Sequence, residues 1–137
     1  MHLTTYLAFD GDCKAAFAMY EKVLGGKITM MMTNGESPMA DQTPADWKDK
    51  IMHITLETPG GVLQGADHPQ GKQVNPAGFS VCVGVKDKAE AERVFKGLSE
   101  GGQVQMAMAE TFWSPGFGMC IDKFGVPWMV NTEGPMG

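Results

Sequence analysis

The sequence lacks the features of a nucleic-acid-binding or membrane protein. It carries 11 Lys and Arg against 16 Asp and Glu, a formal net charge of −5, with no basic run. Binding to nucleic acid needs a positive patch that displaces counterions. No stretch approaches the roughly 20 apolar residues of a spanning helix, and the N-terminus lacks the pattern of a signal peptide. We therefore expect a cytoplasmic protein that binds neither nucleic acid nor a membrane.

Cysteine is scarce, and familiar catalytic motifs are missing. Cys13, Cys82 and Cys120 lie far apart and form no C-x-x-C pair, so a zinc site or redox dithiol has no support. We expect all three thiols to be reduced and half-buried. The chain also shows no Ser-His-Asp arrangement, no carboxylates at a useful spacing and no phosphate-cradling loop. Its 137 residues suffice to bury a core without disulfides or a structural metal.

The first half of the chain predicts a strand, a helix and three further strands. Asp10 or Asp12 can cap the helix, and Gly25-Gly26 ends it. Strands are predicted at 3–9, 27–33, 51–57 and 62–66. The apolar positions of the helix follow the spacing i, i+3, i+4, i+7 of one buried face: Cys13, Ala16, Phe17 and Tyr20, with Leu24 beyond them.

The second half repeats this order. A strand at 79–85 precedes a helix capped by Asp87, ended by Gly101-Gly102 and followed by a strand at 103–109. The closing run 110–131 supplies two last strands around a turn at 122–125. We match the apolar positions of the two helices as Cys13 with Ala91, Ala16 with Val94, Phe17 with Phe95, and Tyr20 with Leu98.

This repetition predicts an α+β fold built from two βαβββ modules. We expect one domain over 1–137, with module 1 at about 1–67, a linker at 68–77, and module 2 at about 78–137. Each module is a sheet covered by one helix, with its other face bare. Two such sheets set edge to edge can curve into a cup whose inner face holds a ligand.

The sequence resembles the PhnB-like branch of the vicinal-oxygen-chelate superfamily, the glyoxalase, bleomycin-resistance and dioxygenase group. This branch is often labelled 3-demethylubiquinone methyltransferase-like. The superfamily hosts several chemistries and pure binding proteins, so the resemblance implies a fold more than a function. It also implies a homodimer, which would cover sheet edges. The matching segments are Tyr6 to Phe17, Tyr20, Gly25-Gly26, Lys50 to His53, Ala89 to Phe95, Glu110 to Trp113, Phe117 to Met119, Asp122, and Phe124 to Met129.

Metal-dependent members of the superfamily hold a divalent ion with His, Gln or Glu side chains from the first and last strand of each module. The nearest positions here, give or take two residues, are Thr5, Gln64, Ser80 and Met129. Only Gln64 is a plausible ligand, so we expect no catalytic metal. A methyltransferase would need a glycine-rich turn between a strand and a helix. Both Gly-Gly pairs follow helices instead, so we expect no cofactor.

We expect a small molecule to bind in the cup, with Thr5, His53, Gln64, Ser80, Trp113 and Met129 as the candidate ligand-binding residues. His53 is either a core histidine or a group that orients the ligand, and Glu110 is either a base or a strand-end residue. Twelve methionines favour an apolar or aromatic ligand, although core packing explains them too. Two alternatives remain: a metal-dependent lyase, isomerase or dioxygenase, and a sequestering resistance protein without turnover. No catalytic residue is assigned.

Overall fold

The computed structural model describes residues 1–68 and 77–133, which form two compact units, Met1–Gln73 and Val74–Gly137. Each unit is a four-stranded mixed sheet with one α-helix. Most of the predicted linker, 69–76, lies outside the described residues. The division into one domain with these module boundaries stays a prediction. Within the described residues, no helix has the length and apolar character needed to span a bilayer.

In the first unit the sheet order is β1-β4-β3-β2, with β1 and β4 parallel and the other pairs antiparallel. Three short 3-10 turns, Asn34–Glu36, Ala40–Gln42 and Ala45–Trp47, fill the long polar segment before β3. The helix and strands are β1 (Thr5–Phe9), α1 (Cys13–Leu24), β2 (Lys27–Thr33), β3 (Ile51–Thr58) and β4 (Gly61–Asp67).

The second unit has the same order and pairing, β5-β8-β7-β6, with β5 and β8 parallel. Its elements are β5 (Val81–Val85), α2 (Lys88–Ser99), β6 (Gln103–Ala109), β7 (Phe117–Ile121) and β8 (Pro127–Thr132). The two βαβββ modules and the α+β fold class are therefore confirmed.

The matching of the two helices was wrong by one turn. Both helices have 12 residues, and they follow Asp12 and Asp87, so Ala16 corresponds to Ala91 rather than to Val94. An apolar pattern with a period of 3.6 residues fits a second such pattern almost as well after a shift of three residues. Only the residue at which each helix begins therefore fixes which positions of the two helices correspond. The buried faces are nevertheless those predicted, apart from Val23 in place of Leu24.

A buried carboxylate from β4 organises the first unit. Asp12 precedes α1 but makes no side-chain capping bond, so the predicted cap was wrong. Asp67 supplies it: Oδ1 accepts hydrogen bonds from the backbone N–H groups of Gly11 (2.8 Å) and Cys13 (3.0 Å). Its Oδ2 accepts one from the N–H of Ile51 at 2.9 Å. Asp67, the last residue of β4, thus joins the β1–α1 turn to β3 and β4.

A second buried carboxylate closes the last hairpin. Asp122 is 3 % exposed. Its Oδ1 accepts from the N–H groups of Phe124 and Val126, while Oδ2 accepts from the indole Nε1 of Trp128 at 2.8 Å. The segment 122–125 therefore forms the predicted turn, and the same side chain fixes the ring of Trp128 in the core.

Each sheet buries one face, because side chains alternate along a strand. In the first sheet Leu7, Ile54 and Leu56 are buried on the side of α1. In the second, a Cβ on Gly118 would lie 2.8 Å from the Phe95 ring of α2, so Gly118 faces that helix. We call the opposite side of each sheet its far face.

Asp67 and Thr132 occupy corresponding positions, since each ends the strand that pairs with the first strand of its unit. Asp67→Ala leaves three backbone N–H groups without their acceptor, so we expect the free energy of unfolding to fall by about 3 kcal/mol. Thr132 is the matched control: among the described residues its buried hydroxyl has no hydrogen-bond partner.

Thr132→Val removes that unpaired hydroxyl and should stabilise the protein by about 1 kcal/mol. Urea unfolding followed by circular dichroism measures both variants. Equal destabilisation by the two substitutions would contradict the assignment of Asp67 as the organising carboxylate.

Candidate functional site

The far face of the first sheet carries a row of polar side chains across three strands. Tyr6 of β1 lies opposite Gln64 of β4, which lies opposite Thr55 of β3, and His53 follows two residues before Thr55. We call these four residues the polar row. On β2, Met30 pairs with Thr55 and Met32 with His53, so thioethers border the row on one side.

The polar row is joined by hydrogen bonds. The Tyr6 hydroxyl lies 3.4 Å from His53 Nδ1, and His53 Nε2 lies 3.0 Å from Thr55 Oγ1. Gln64 Nε2 donates to the same Thr55 oxygen at 3.4 Å. The tyrosine ring is tilted against the imidazole at 5.9 Å. The imidazole is therefore held from both nitrogens in a fixed orientation.

Counting protons shows that the polar row has hydrogen bonds to offer. A neutral imidazole has one N–H donor and one acceptor nitrogen. If Nε2 donates to Thr55, then Tyr6 donates to Nδ1 and the Thr55 hydroxyl proton is free. If Nδ1 donates to Tyr6, then Thr55 donates to Nε2 and the Tyr6 hydroxyl proton is free. Either tautomer leaves one hydroxyl donor for a ligand, beside the amide oxygen of Gln64.

The second unit replaces this row with apolar groups. The strand pairing makes Gln64 correspond to Met129, Tyr6 to Cys82, and Thr55 to Met119. His53 corresponds to Phe117, two residues before Met119. The same positions thus carry a phenol, an imidazole, a hydroxyl and an amide in one unit, and a thiol, a phenyl ring and two thioethers in the other.

Trp113 lies in the loop before β7 and is 48 % exposed. Its ring packs edge-on against Phe117 at 5.2 Å and against Phe112 at 4.7 Å. The loop is tied to β8 by Ser114, whose hydroxyl donates to the carbonyl of Gly116 or of Thr132. Trp113 is therefore held beside the far face of the second sheet.

The six candidate residues fall into three groups. His53 and Gln64 join the polar row, while Met129 and Trp113 lie on or beside the far face of the second sheet. Thr5 shares the helix-side face with Leu7, since Thr5 pairs with the buried Leu63. Ser80 precedes β5. The roles of all six stay predictions, and the strand pairing adds Tyr6, Thr55 and Cys82 to the candidates.

Burial raises the pKa of the three thiols and of the Tyr6 phenol. It raises the pKa of Cys13 to about 12, with a further contribution from Asp67. It raises the pKa of Cys120 to about 11, with Asp122 adding to the effect. The pKa of Cys82 is also raised, first by burial and then by the charge of Glu133. The pKa of Tyr6 is raised by burial and, to a lesser degree, by Cys13, so this phenol remains protonated at neutral pH.

A cavity of about 160 Å³ lies in the second unit, beside the first turn of α2 and the end of β6. Glu110, a candidate base by sequence, lines it and is exposed. The lining brings together one basic and two acidic side chains and is distant in sequence from the polar row: Lys88, Glu92, Met108, Ala109, Glu110, Pro115 and Gly116.

The donor set does not fit a catalytic divalent metal. At the far-face positions where the first and last strands of each unit pair, the side chains are Tyr6 and Gln64 in one unit and Cys82 and Met129 in the other. None is a carboxylate or an imidazole, and a thioether is a poor ligand for an octahedral ion. Among residues 1–68 and 77–133, no three His, Cys, Asp or Glu side chains cluster as ligands.

S-adenosylmethionine fits no better. Gly11 lies in the turn between β1 and α1. However, the N–H groups of Gly11 and Cys13 already donate to Asp67, so they are not available to a ligand. The connection from β5 to α2 is Lys86-Asp87, without a glycine, and Asp87 accepts from the N–H of Glu90 at 2.8 Å.

Comparison with known proteins agrees with the fold. Residues 1–131 match the family described as 3-demethylubiquinone-9 3-methyltransferase. Protein YjdN of Escherichia coli K12 is 34% identical, over 96% of this chain and 95% of its own. The crystal structure of PA1353 from Pseudomonas aeruginosa is 46% identical with a TM-score of 0.88, covering 97% of this chain and 98% of that one.

Two more distant structures carry the fold alone. The PhnB protein from Bacillus cereus is 22% identical with a TM-score of 0.80, over 97% of this chain and all of its own. A glyoxalase/bleomycin resistance protein/dioxygenase family enzyme from Burkholderia phytofirmans PsJN is 14% identical with a TM-score of 0.66, covering 94% of this chain and 95% of that one.

The two βαβββ modules and the likeness to these structures give this protein the glyoxalase/bleomycin-resistance fold that the resemblance implied. Within that class, the match over 1–131 and the identity to YjdN define its family. The chain belongs to the family that carries the description 3-demethylubiquinone-9 3-methyltransferase.

The three thiols should differ sharply in reactivity, since only the thiolate attacks an alkylating reagent. Cys82 is exposed, whereas Cys13 and Cys120 are buried. Iodoacetamide at pH 8 should therefore label Cys82 alone in the folded protein. Because its pKa is raised, the rate should keep rising as the pH passes the ordinary thiol value of about 8.5.

Mass spectrometry of peptides counts the labels, and Cys82→Ser should remove the native labelling. All three thiols should react after unfolding in urea. Fast labelling of Cys13 or Cys120 in the folded protein would contradict their burial.

Proposed function

We propose that the protein binds an uncharged small molecule on the far face of the first sheet, and that the polar row orients it. The observation that carries the proposal is the bond from each imidazole nitrogen of His53 to a neighbouring hydroxyl. A polar row that already fixes its own geometry loses little entropy when it binds a ligand. One hydroxyl proton and the Gln64 amide oxygen remain as donor and acceptor.

The chemistry of this face favours a ring that carries a hydroxyl or carbonyl group. None of the four side chains of the polar row is an Asp, Glu, Lys or Arg, so the row offers no fixed charge to pair with an ion. Tyr6 is 49 % exposed and Met30 is 39 % exposed, so an aromatic surface and a thioether are both available for apolar contact. Methionine adapts to ligands of different shapes.

The binding requires no metal, because none of the four side chains of the polar row is a carboxylate, the ligand that a hard divalent ion prefers. It requires no S-adenosylmethionine, because Asp67 engages the amides of the only strand–helix turn with a glycine in the described residues. The family description therefore does not extend to a methyl-transfer activity for this chain. Location in the cytoplasm and assembly as a homodimer stay predictions.

Phenol tests the binding face, because it carries one hydroxyl on an apolar ring. Gln64→Leu removes an acceptor and Thr55→Val removes the hydroxyl shared by His53 and Gln64. Each should raise the dissociation constant for phenol about 5-fold, the value of one ordinary hydrogen bond. A titration followed by ¹H–¹⁵N NMR measures both.

Gln105→Leu is the matched control, since Gln105 is exposed on β6 of the other unit. It should leave the affinity for phenol unchanged. Equal losses in Gln64→Leu and Gln105→Leu would show that the polar row plays no part.

The metal-free assignment is tested by elemental analysis of protein purified without chelator, together with the same phenol titration after dialysis against EDTA. We expect substoichiometric metal and an unchanged affinity. One tightly bound nickel, zinc or iron per chain would favour the metal-dependent enzyme instead. Incubation with a bound ligand and a search for product then separates an enzyme from a sequestering protein.

A further inference from the structure

The far face of the second sheet carries a hydrogen-bond acceptor that is not part of the polar row. Asn131 lies between Val130 and Thr132, which are buried on the helix side, so its amide points to the far face. Its Oδ1 is buried and has no hydrogen-bond partner among residues 1–68 and 77–133. A buried acceptor left unpaired is costly, and such groups are rare in native proteins.

A notch lies beside this amide. Asn131 pairs with Gly84 on β5, which has no side chain. The carboxylate of Glu133, two residues along on the same face, folds back over that glycine. A Cβ on Gly84 would meet Glu133 Oε2 at 2.7 Å. Two acceptors, the Asn131 amide oxygen and the Glu133 carboxylate, thus flank the same strand end.

Aromatic surface lies on the other side of the amide. Asn131 pairs with Phe117 on β7, whose buried ring lies against the half-exposed ring of Trp113 at 5.2 Å. The Cys82 thiol stays protonated at neutral pH, because burial and the Glu133 charge raise its pKa. The nearest basic residue along the chain, Lys86, lies just past β5.

We propose that Asn131 and Glu133, with Trp113 and Phe117 beside them, form a subsite for a protonated amine carried by an aromatic small molecule. An ammonium group has three N–H donors and no acceptor, which suits two oxygen acceptors. A neighbouring ring attracts a cation as well. The subsite lies entirely within the second unit, so it can be tested independently of the polar row.

Phenethylamine, protonated at pH 7, and its neutral analogue 2-phenylethanol are the probes. In ¹H–¹⁵N NMR titrations the ammonium should bind about 10-fold more tightly, the worth of one charge-assisted hydrogen bond. The largest shifts should fall on the amides of Gly84, Phe117 and Asn131. Equal affinity for the two probes, or shifts confined to the polar row, would overturn the proposal.

Substitutions at the subsite then test whether Asn131 accepts a hydrogen bond from the ligand or donates one. Asn131→Asp keeps the shape and adds charge, so it should tighten phenethylamine binding, whereas Asn131→Leu should weaken it about 5-fold. Gly84→Ala displaces the Glu133 carboxylate and should weaken binding in the same direction as Glu133→Gln. Glu100→Gln, an exposed charge change after α2, is the control and should have no effect.

Phenylacetate, the anionic analogue, tests whether the subsite prefers a negatively or a positively charged ligand. Tighter binding of phenylacetate than of phenethylamine, with Asn131→Asp abolishing it, would show that Asn131 acts as a donor and would overturn the proposal. If Asn131→Leu does not fold by circular dichroism, Asn131→Asp and the three probes on the unchanged protein still decide the outcome.

Discussion

The structure depends on one constraint: each four-stranded sheet is covered on one face by a single 12-residue helix. Alternation then assigns every strand residue either to the core or to the far face. Ile54 and Leu56 in one unit, and Trp128 and Val130 in the other, are buried on the helix side. The side chains of the polar row and of its counterparts lie on the far faces, where the two units can differ without disturbing their cores. Buried carboxylates at Asp67 and Asp122 fix the turns that hold this arrangement.

The far faces have diverged in polarity while the strand pairing is unchanged. Tyr6, His53, Thr55 and Gln64 correspond to Cys82, Phe117, Met119 and Met129, so one duplicated unit presents hydrogen-bonding groups and the other presents sulfur and aromatic rings. A single module would have to carry both the hydrogen-bonding groups and the apolar groups on the strands of one sheet. Duplication places them on two separate sheets.

Much of the fold could be predicted from the sequence because its signals are local. The helix faces, the Gly25 stop with its positive φ of 73° and the Asp87 cap all lie within one turn of the residues they control. Asp67 was missed because it caps α1 from 54 residues away, beyond any periodicity. The face on which Thr5 lies is hard to predict for a similar reason: a shift of one residue along a strand reverses the face, and only the pairing of Tyr6 with Gln64 fixes it.

The central claim is that the polar row, rather than another surface, receives an uncharged ring with a hydroxyl group. Mapping of amide chemical shifts during a phenol titration tests it most directly, because the amides that shift show which strands lie beside the bound phenol. The largest shifts should cluster at Tyr6, His53, Thr55 and Gln64. A cluster at the cavity lined by Lys88, Glu92 and Gly116, with the polar row unmoved, would contradict it.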